Sequence, residues 1–145
     1  GDNPNVIARK IRAQVLGDKD RKGAVVRAKR IARTEITGAH RRALWDEDQR
    51  ANDEGIKTKL LHVSALIVGR TRATHAAKHG YLWPTRKALQ DWYQVDGSAI
   101  NCLCTQVSAI VDDNGNILSK KLAKKMIENK DKYLALTAKT GKVTE

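Results

Sequence analysis

The 145-residue chain is expected to fold as an α+β domain, predominantly helical, with one long helix packed on a small sheet of two or three strands and a Lys-rich C-terminal helix. Three observations carry this. From Ala24 to Glu54 there is no proline and a single glycine, Gly38, the signature of a long uninterrupted helix. Two runs rich in β-branched and aliphatic residues, 56–67 and 99–111, show partial alternation and read as strands. Hydrophobic residues make up 41% of the chain but aromatics only 4%, so the core is built from Ala, Leu, Ile and Val around three Trp and three Tyr. A chain this apolar is not a disordered polycation, and its length suits one domain.

In chain order, residues 4–16 place Ile7, Ile11 and Val15 four apart on one stripe of a short helix, with Asn3 as N-cap, Pro4 as first helical residue and Gly17 as stop. The stretch GDKDRKG, 17–23, is a charged connector. In the long helix, Val25, Ala28, Ala32, Ala39 and Ala43 share a face flanked by Ile31 and Ile36, opposite Arg27, Arg30, Arg33 and Arg41. Glu35 falls inside that apolar stripe, with no basic residue at helical spacing. Gly55 stops the helix. After the first strand, residues 70–79 read as a short helix closed by Gly80. Residues 81–98 read as an irregular loop anchored by Trp83, Trp92 and Tyr93 and ended by the Asp96-Gly97 turn. The second strand leads to a tight turn at Asp113-Asn114-Gly115. A Lys-rich helix over 119–139 then sets Leu122, Met126 and Tyr133 on one side. The chain divides into an N-terminal helix and connector (1–23), a central domain (24–118) and a basic C-terminal helix or tail (119–145). No internal repeat is visible.

Lys and Arg number 28 against 16 Asp and Glu, a formal charge of +12, which calls for an acidic partner. The cations cluster in residues 17–42 and 119–145, separated by an acidic patch of Asp46, Glu47, Asp48, Asp53 and Glu54. Contact with phosphates needs clustered cations but no special geometry, so Arg27, Arg30, Arg33, Arg41, Lys120, Lys121, Lys124 and Lys125 are candidate contacts to DNA or to an acidic protein surface. No recognition-helix motif is present, so DNA contact would be indifferent to sequence. No apolar run approaches bilayer length, and no membrane role is expected. The chain opens on Gly1 rather than Met and without a secretory signal, as a processed or trimmed product would.

Cys102 and Cys104 stand one residue apart, a poor geometry for a mutual disulfide and consistent with assembly in a reducing cytoplasm. His75 and His79 lie four apart on one helical face. Together the four side chains could hold zinc. Equally, Cys102 could pack as a small hydrophobe and His79 could cap its helix, leaving the chain without a cofactor. A catalytic Cys–His pair lacks any accompanying oxyanion site, so no catalytic residue is assigned.

The segments Ala32-Arg33-Thr34-Glu35, Arg70-Thr71-Arg72 with His75, His79-Gly80, and Ile100-Asn101-Cys102-Leu103-Cys104-Thr105 occur in this order over residues 28–110. In that order and spacing they resemble the phage Mu F-like head-morphogenesis domain, a family of minor head proteins of tailed double-stranded DNA phages. The resemblance implies a non-enzymatic virion component, assembled into the phage head in the host cytoplasm. It implies portal or major capsid protein as partners, with packaged DNA touched nonspecifically. The alternative is a DNA-condensing protein without a fixed place in the shell. Within the fold, Glu35 is expected to pair with Arg70 or Arg72, with His75 and Asn101 nearby, as an internal brace.

Overall fold

The computed structural model describes residues 3–15 and 21–141. Helix α1 (Pro4–Val15) begins where expected, with Asn3 Oδ1 accepting the Asn5 backbone N–H at 2.9 Å. The stop at Gly17, the connector from Gly17 to Asp20 and the terminal residues from Lys142 lie outside the described residues, as does the side chain of Val15. The long helix α2 runs Arg21–Asp53. Its first half packs on α1 through Ala8, Ala28 and Ala32, flanked by Ile7 and Ile11. Small side chains on both helices allow their backbones close approach.

The apolar stripe of α2 does not continue as its sequence suggests. Ala39, Ala43 and Glu35 are exposed, whereas Arg41 and Trp45 are buried. At about 100° per residue, Arg41 and Trp45 point roughly 120° away from the direction of Ala24, Ala28 and Ala32. Helix α1 is only about 18 Å long, so it covers the alanine face for the first part of α2 alone. Beyond it, α2 meets the sheet and α4, which lie to a different side. Helices of this length routinely change partner, and the buried face changes with it.

Strand β1 (Thr58–Val63) pairs antiparallel with β2 (Thr105–Ile110), Leu61 opposite Val107 and His62 opposite Gln106. The other edge of β1 is covered by residues 80–83: Tyr81 and Leu60 carbonyls accept from His62 and Trp83, and His62 accepts from Gly80. A bridge joins Leu61 to Leu82. β1 is thus central. Both strands are shorter than their apolar runs, because Leu66 and Asn101 take left-handed φ angles of 50° and 54° and cannot continue a ladder. Cys102 and Cys104 therefore lie on the extended lead-in to β2 and not within it.

Residues 86–94, expected to be irregular, form helix α4 (Arg86–Gln94). Thr85 caps it by accepting the Ala88 N–H at 3.1 Å, and Leu89 and Tyr93, four apart, are buried. The short α3 (Ala73–Ala77) precedes it, and α5 (Lys120–Thr140) follows β2 through a turn in which Asp112 Oδ1 accepts from Asn114 and Asn116. Ser119 caps α5, and Gly141 in the left-handed region ends it. Met126 and Tyr133 are buried as expected; Met126 packs on Leu61 and Ala109, with Leu122 beside them.

Alternation along the strands gives the sheet two covered faces. Leu60, His62 and Gln106 face α2 and α4; Leu61, Val107 and Ala109 face α5. Among the described residues, then, the two basic helices stand on opposite sides of the sheet. No helix of the described residues is long and apolar enough to cross a membrane.

Candidate functional site

The motif segments converge around the turn at residues 97–101, just ahead of the cysteines, but not through Glu35. Arg33 Nη1 donates to Asn101 Oδ1 at 2.6 Å, and the Asn101 backbone N–H donates to Thr34 Oγ1 at 2.9 Å. Arg72 donates to the carbonyls of Gly97, Ser98 and Ile100 at 3.3, 3.3 and 2.8 Å. Five contacts thus hold the turn from two sides. The expected pairing of Glu35 with Arg70 or Arg72 is absent: Glu35 is exposed, Arg70 is exposed, and the Arg72 guanidinium faces main-chain carbonyls. The physical reason is the change of face along α2: Glu35 sits on the alanine side beyond the reach of α1, where water already solvates it.

Arg41, offered above as a contact to an acidic partner, is 2% exposed. Its guanidinium lies 4.1 Å from the Tyr93 ring centroid, and Nη2 donates to the Cys102 carbonyl at 3.4 Å. Arg33 is half-buried and committed to Asn101. Arg41 is thus enclosed, whereas Arg33 keeps part of its surface open. Arg27, Arg30, Lys120, Lys121, Lys124 and Lys125 are exposed; Lys124 pairs loosely with Glu128 at 3.7 Å.

Behind the turn, His75 is buried with Nδ1 at 3.4 Å from Cys102 Sγ and 3.5 Å from Cys104 Sγ. The Cys104 N–H donates to Cys102 Sγ at 3.3 Å, and Ser64 Oγ is 3.5 Å from Cys104 Sγ. Hydrogen bonding with Cys102 holds the Cys104 thiol well below the ordinary thiol range, helped by His62, His75 and Ser64. The same pairing, with burial, pushes Cys102 up. His79, the fourth expected ligand, turns away: its Nδ1 accepts the Ser64 backbone N–H at 3.1 Å. Burial holds His79 below its usual range, so it does not cap α3 as a cation either. Lys130 serves that end of α3, donating to the Ala77 carbonyl at 2.8 Å.

A buried polar network was not anticipated. Gln106, fully buried, accepts the Trp45 indole N–H at 2.9 Å and donates to the Tyr93 hydroxyl at 2.9 Å. Its amide also lies 3.3 Å from His62 Nδ1, which receives the Trp83 indole N–H at 3.4 Å. With Nδ1 accepting, the His62 proton sits on Nε2. The sequence signal was a His and a Gln inside strands of largely aliphatic and β-branched residues. The aromatics of the expected loop pack here: Trp92 meets His75 at 4.7 Å and His62 at 5.2 Å between ring centroids.

No curated protein and no solved structure matches the chain. A family model described as Phage Mu protein F like protein matches residues 1–107, which takes in both sides of the braced turn and all three residues of the His75–Cys102–Cys104 cluster. The match spans well over half of the chain, which therefore belongs to the Phage Mu protein F like family of phage head-morphogenesis proteins.

Proposed function

We propose that the chain is a structural minor head protein seated near the portal or inner shell, touching packaged double-stranded DNA through its phosphates. Membership in a phage head family supports a virion role and interaction with other head components. The observation that carries the DNA reading is the placement of Lys120, Lys121, Lys124 and Lys125 in the first two turns of α5. A helix N-terminus favours anions, and each cation there is disfavoured by about 0.3–1 kcal/mol. No acidic residue relieves this first turn. Two exposed lysines, Lys120 and Lys121, stand in that turn against the helix dipole, and Lys124 and Lys125 extend the cationic face one turn further, an arrangement suited to an external anion. With Arg27 and Arg30 exposed on α2, across the sheet, the protein has cationic surfaces on two sides and can lie between DNA and an acidic shell.

The braced turn and buried network rigidify the domain, and no catalytic carboxylate cluster is formed among the described residues. Binding of the chain to unrelated duplexes tests the reading. Raising salt from about 50 to 200 mM should weaken it by on the order of a hundredfold or more. Replacing the four lysines by glutamine should lower both the affinity and the salt slope. Strong discrimination between duplexes at fixed salt, or binding indifferent to salt, would contradict phosphate contact.

A further inference from the structure

The cluster of His75, Cys102 and Cys104 is buried, draws on two separate segments and has a geometry of its own. His75 comes from α3, while the cysteines come from the lead-in to β2, 27 and 29 residues later. All three ligand atoms lie within 4.8 Å of one another. Zinc bonds of about 2.3 Å to sulfur and about 2.05 Å to nitrogen, opened to the tetrahedral angle, set a nitrogen and a sulfur about 3.5 Å apart. The observed Nδ1–Sγ separations are 3.4 and 3.5 Å, so two edges of that tetrahedron are already in place.

As a set of ordinary contacts the cluster is poorly satisfied. A single ring nitrogen faces two sulfurs and can take a proton from only one of them, and thiols are weak donors. The outer shell, by contrast, suits thiolates. The Cys104 N–H points at Cys102 Sγ, and Ser64 Oγ reaches Cys104 Sγ. A cavity of about 30 Å³ opens over the three residues, with Arg70, Arg72 and Asn101 at its rim. That is room for one water.

We propose that His75 Nδ1, Cys102 Sγ and Cys104 Sγ bind one Zn²⁺, with water from the cavity in the fourth position and His79 outside the coordination sphere. The nitrogen and sulfur donor set selects zinc over harder cations. Binding sends the thiol protons to solvent, so affinity rises with pH. The ion ties α3 to the lead-in of β2 and closes the loop that contains α4.

The 145-residue chain, purified under reducing conditions without chelator, should carry about one zinc by elemental analysis. Its X-ray absorption should show two sulfur and two nitrogen or oxygen neighbours. Exchange for Co²⁺ should give intense tetrahedral ligand-field bands and a thiolate-to-cobalt charge-transfer band. His75→Ala, Cys102→Ser and Cys104→Ser should each lose the metal, whereas His79→Gln should retain it. Should a cysteine variant fail to fold, the wild-type chain's metal content and cobalt spectrum decide alone. A wild-type chain that purifies without metal and gives no thiolate-cobalt band on titration with Co²⁺ overturns the site. Loss of zinc from a folded His79→Gln chain overturns the three-ligand assignment.

Discussion

Removing the Arg72 guanidinium while leaving its stem, as in Arg72→Met, takes a donor from three carbonyls of the 97–100 turn, of which Gly97 keeps the Ile100 N–H. A hydrogen bond from a charged group contributes about 1.5–3 kcal/mol when well formed. Here two are long, at 3.3 Å, and the 2.8 Å bond to Ile100 is open to solvent. Allowing about 1 kcal/mol for each gives a loss of roughly 2–3 kcal/mol, or about 8 °C in Tm for a chain of this size. Arg72→Lys should recover about a third, since one ammonium cannot span three diverging carbonyls. Glu35→Ala, on the exposed side of α2, should stay within about 0.5 kcal/mol of wild type. Urea unfolding followed by tryptophan fluorescence, compared at constant m-value, measures all three. If Glu35→Ala destabilises as much as Arg72→Met, or Arg72→Met is neutral, the brace has been assigned to the wrong residues.

The buried groups give two further expectations. Burial, reinforced by nearby His62 and Lys130, holds His79 below its ordinary 6.5. Below that pH the unfolded chain takes up a proton that the folded chain resists. Stability should therefore fall as pH drops through about 6.5, and His79→Gln should flatten that part of a Tm-against-pH curve; an unchanged slope would refute the assignment. Gln106→Leu strands the Trp45 N–H and takes a donor from the Tyr93 hydroxyl, at about 1–3 kcal/mol per buried group. Trp45→Phe in the same chain should return part of the loss, and strict additivity of the two changes would show that they do not interact.

Much of this architecture is legible in the residues, for identifiable reasons. Asn3-Pro4 starts α1, and the proline-free run from Ala24 yields α2, because caps and breakers act locally. Helix α4 carried the same kind of signal, with Thr85 three residues before Ala88 and Leu89 four before Tyr93. Its aromatic residues and the Asp96-Gly97 turn masked it. The site was half legible. His75, Cys102 and Cys104 do converge, yet His79, four residues after His75, serves Ser64 instead. Periodicity gives the face of a residue but not the neighbour that arrives there. For the same reason Glu35 and Arg41 were exchanged in role: the direction in which α2 is covered depends on where α1 ends and the sheet begins. His62 and Gln106 meet only through the strand register, which two separate strands do not disclose in sequence.

A structural role in the head makes one direct demand, that the protein travel with the particle. Quantitative mass spectrometry of washed heads from the phage that encodes this chain, taken before and after DNA packaging, measures it. The account predicts a fixed copy number, low relative to the major shell subunit and retained in both kinds of head. Its absence from both, with the protein abundant in the surrounding lysate, would contradict a structural place in the virion.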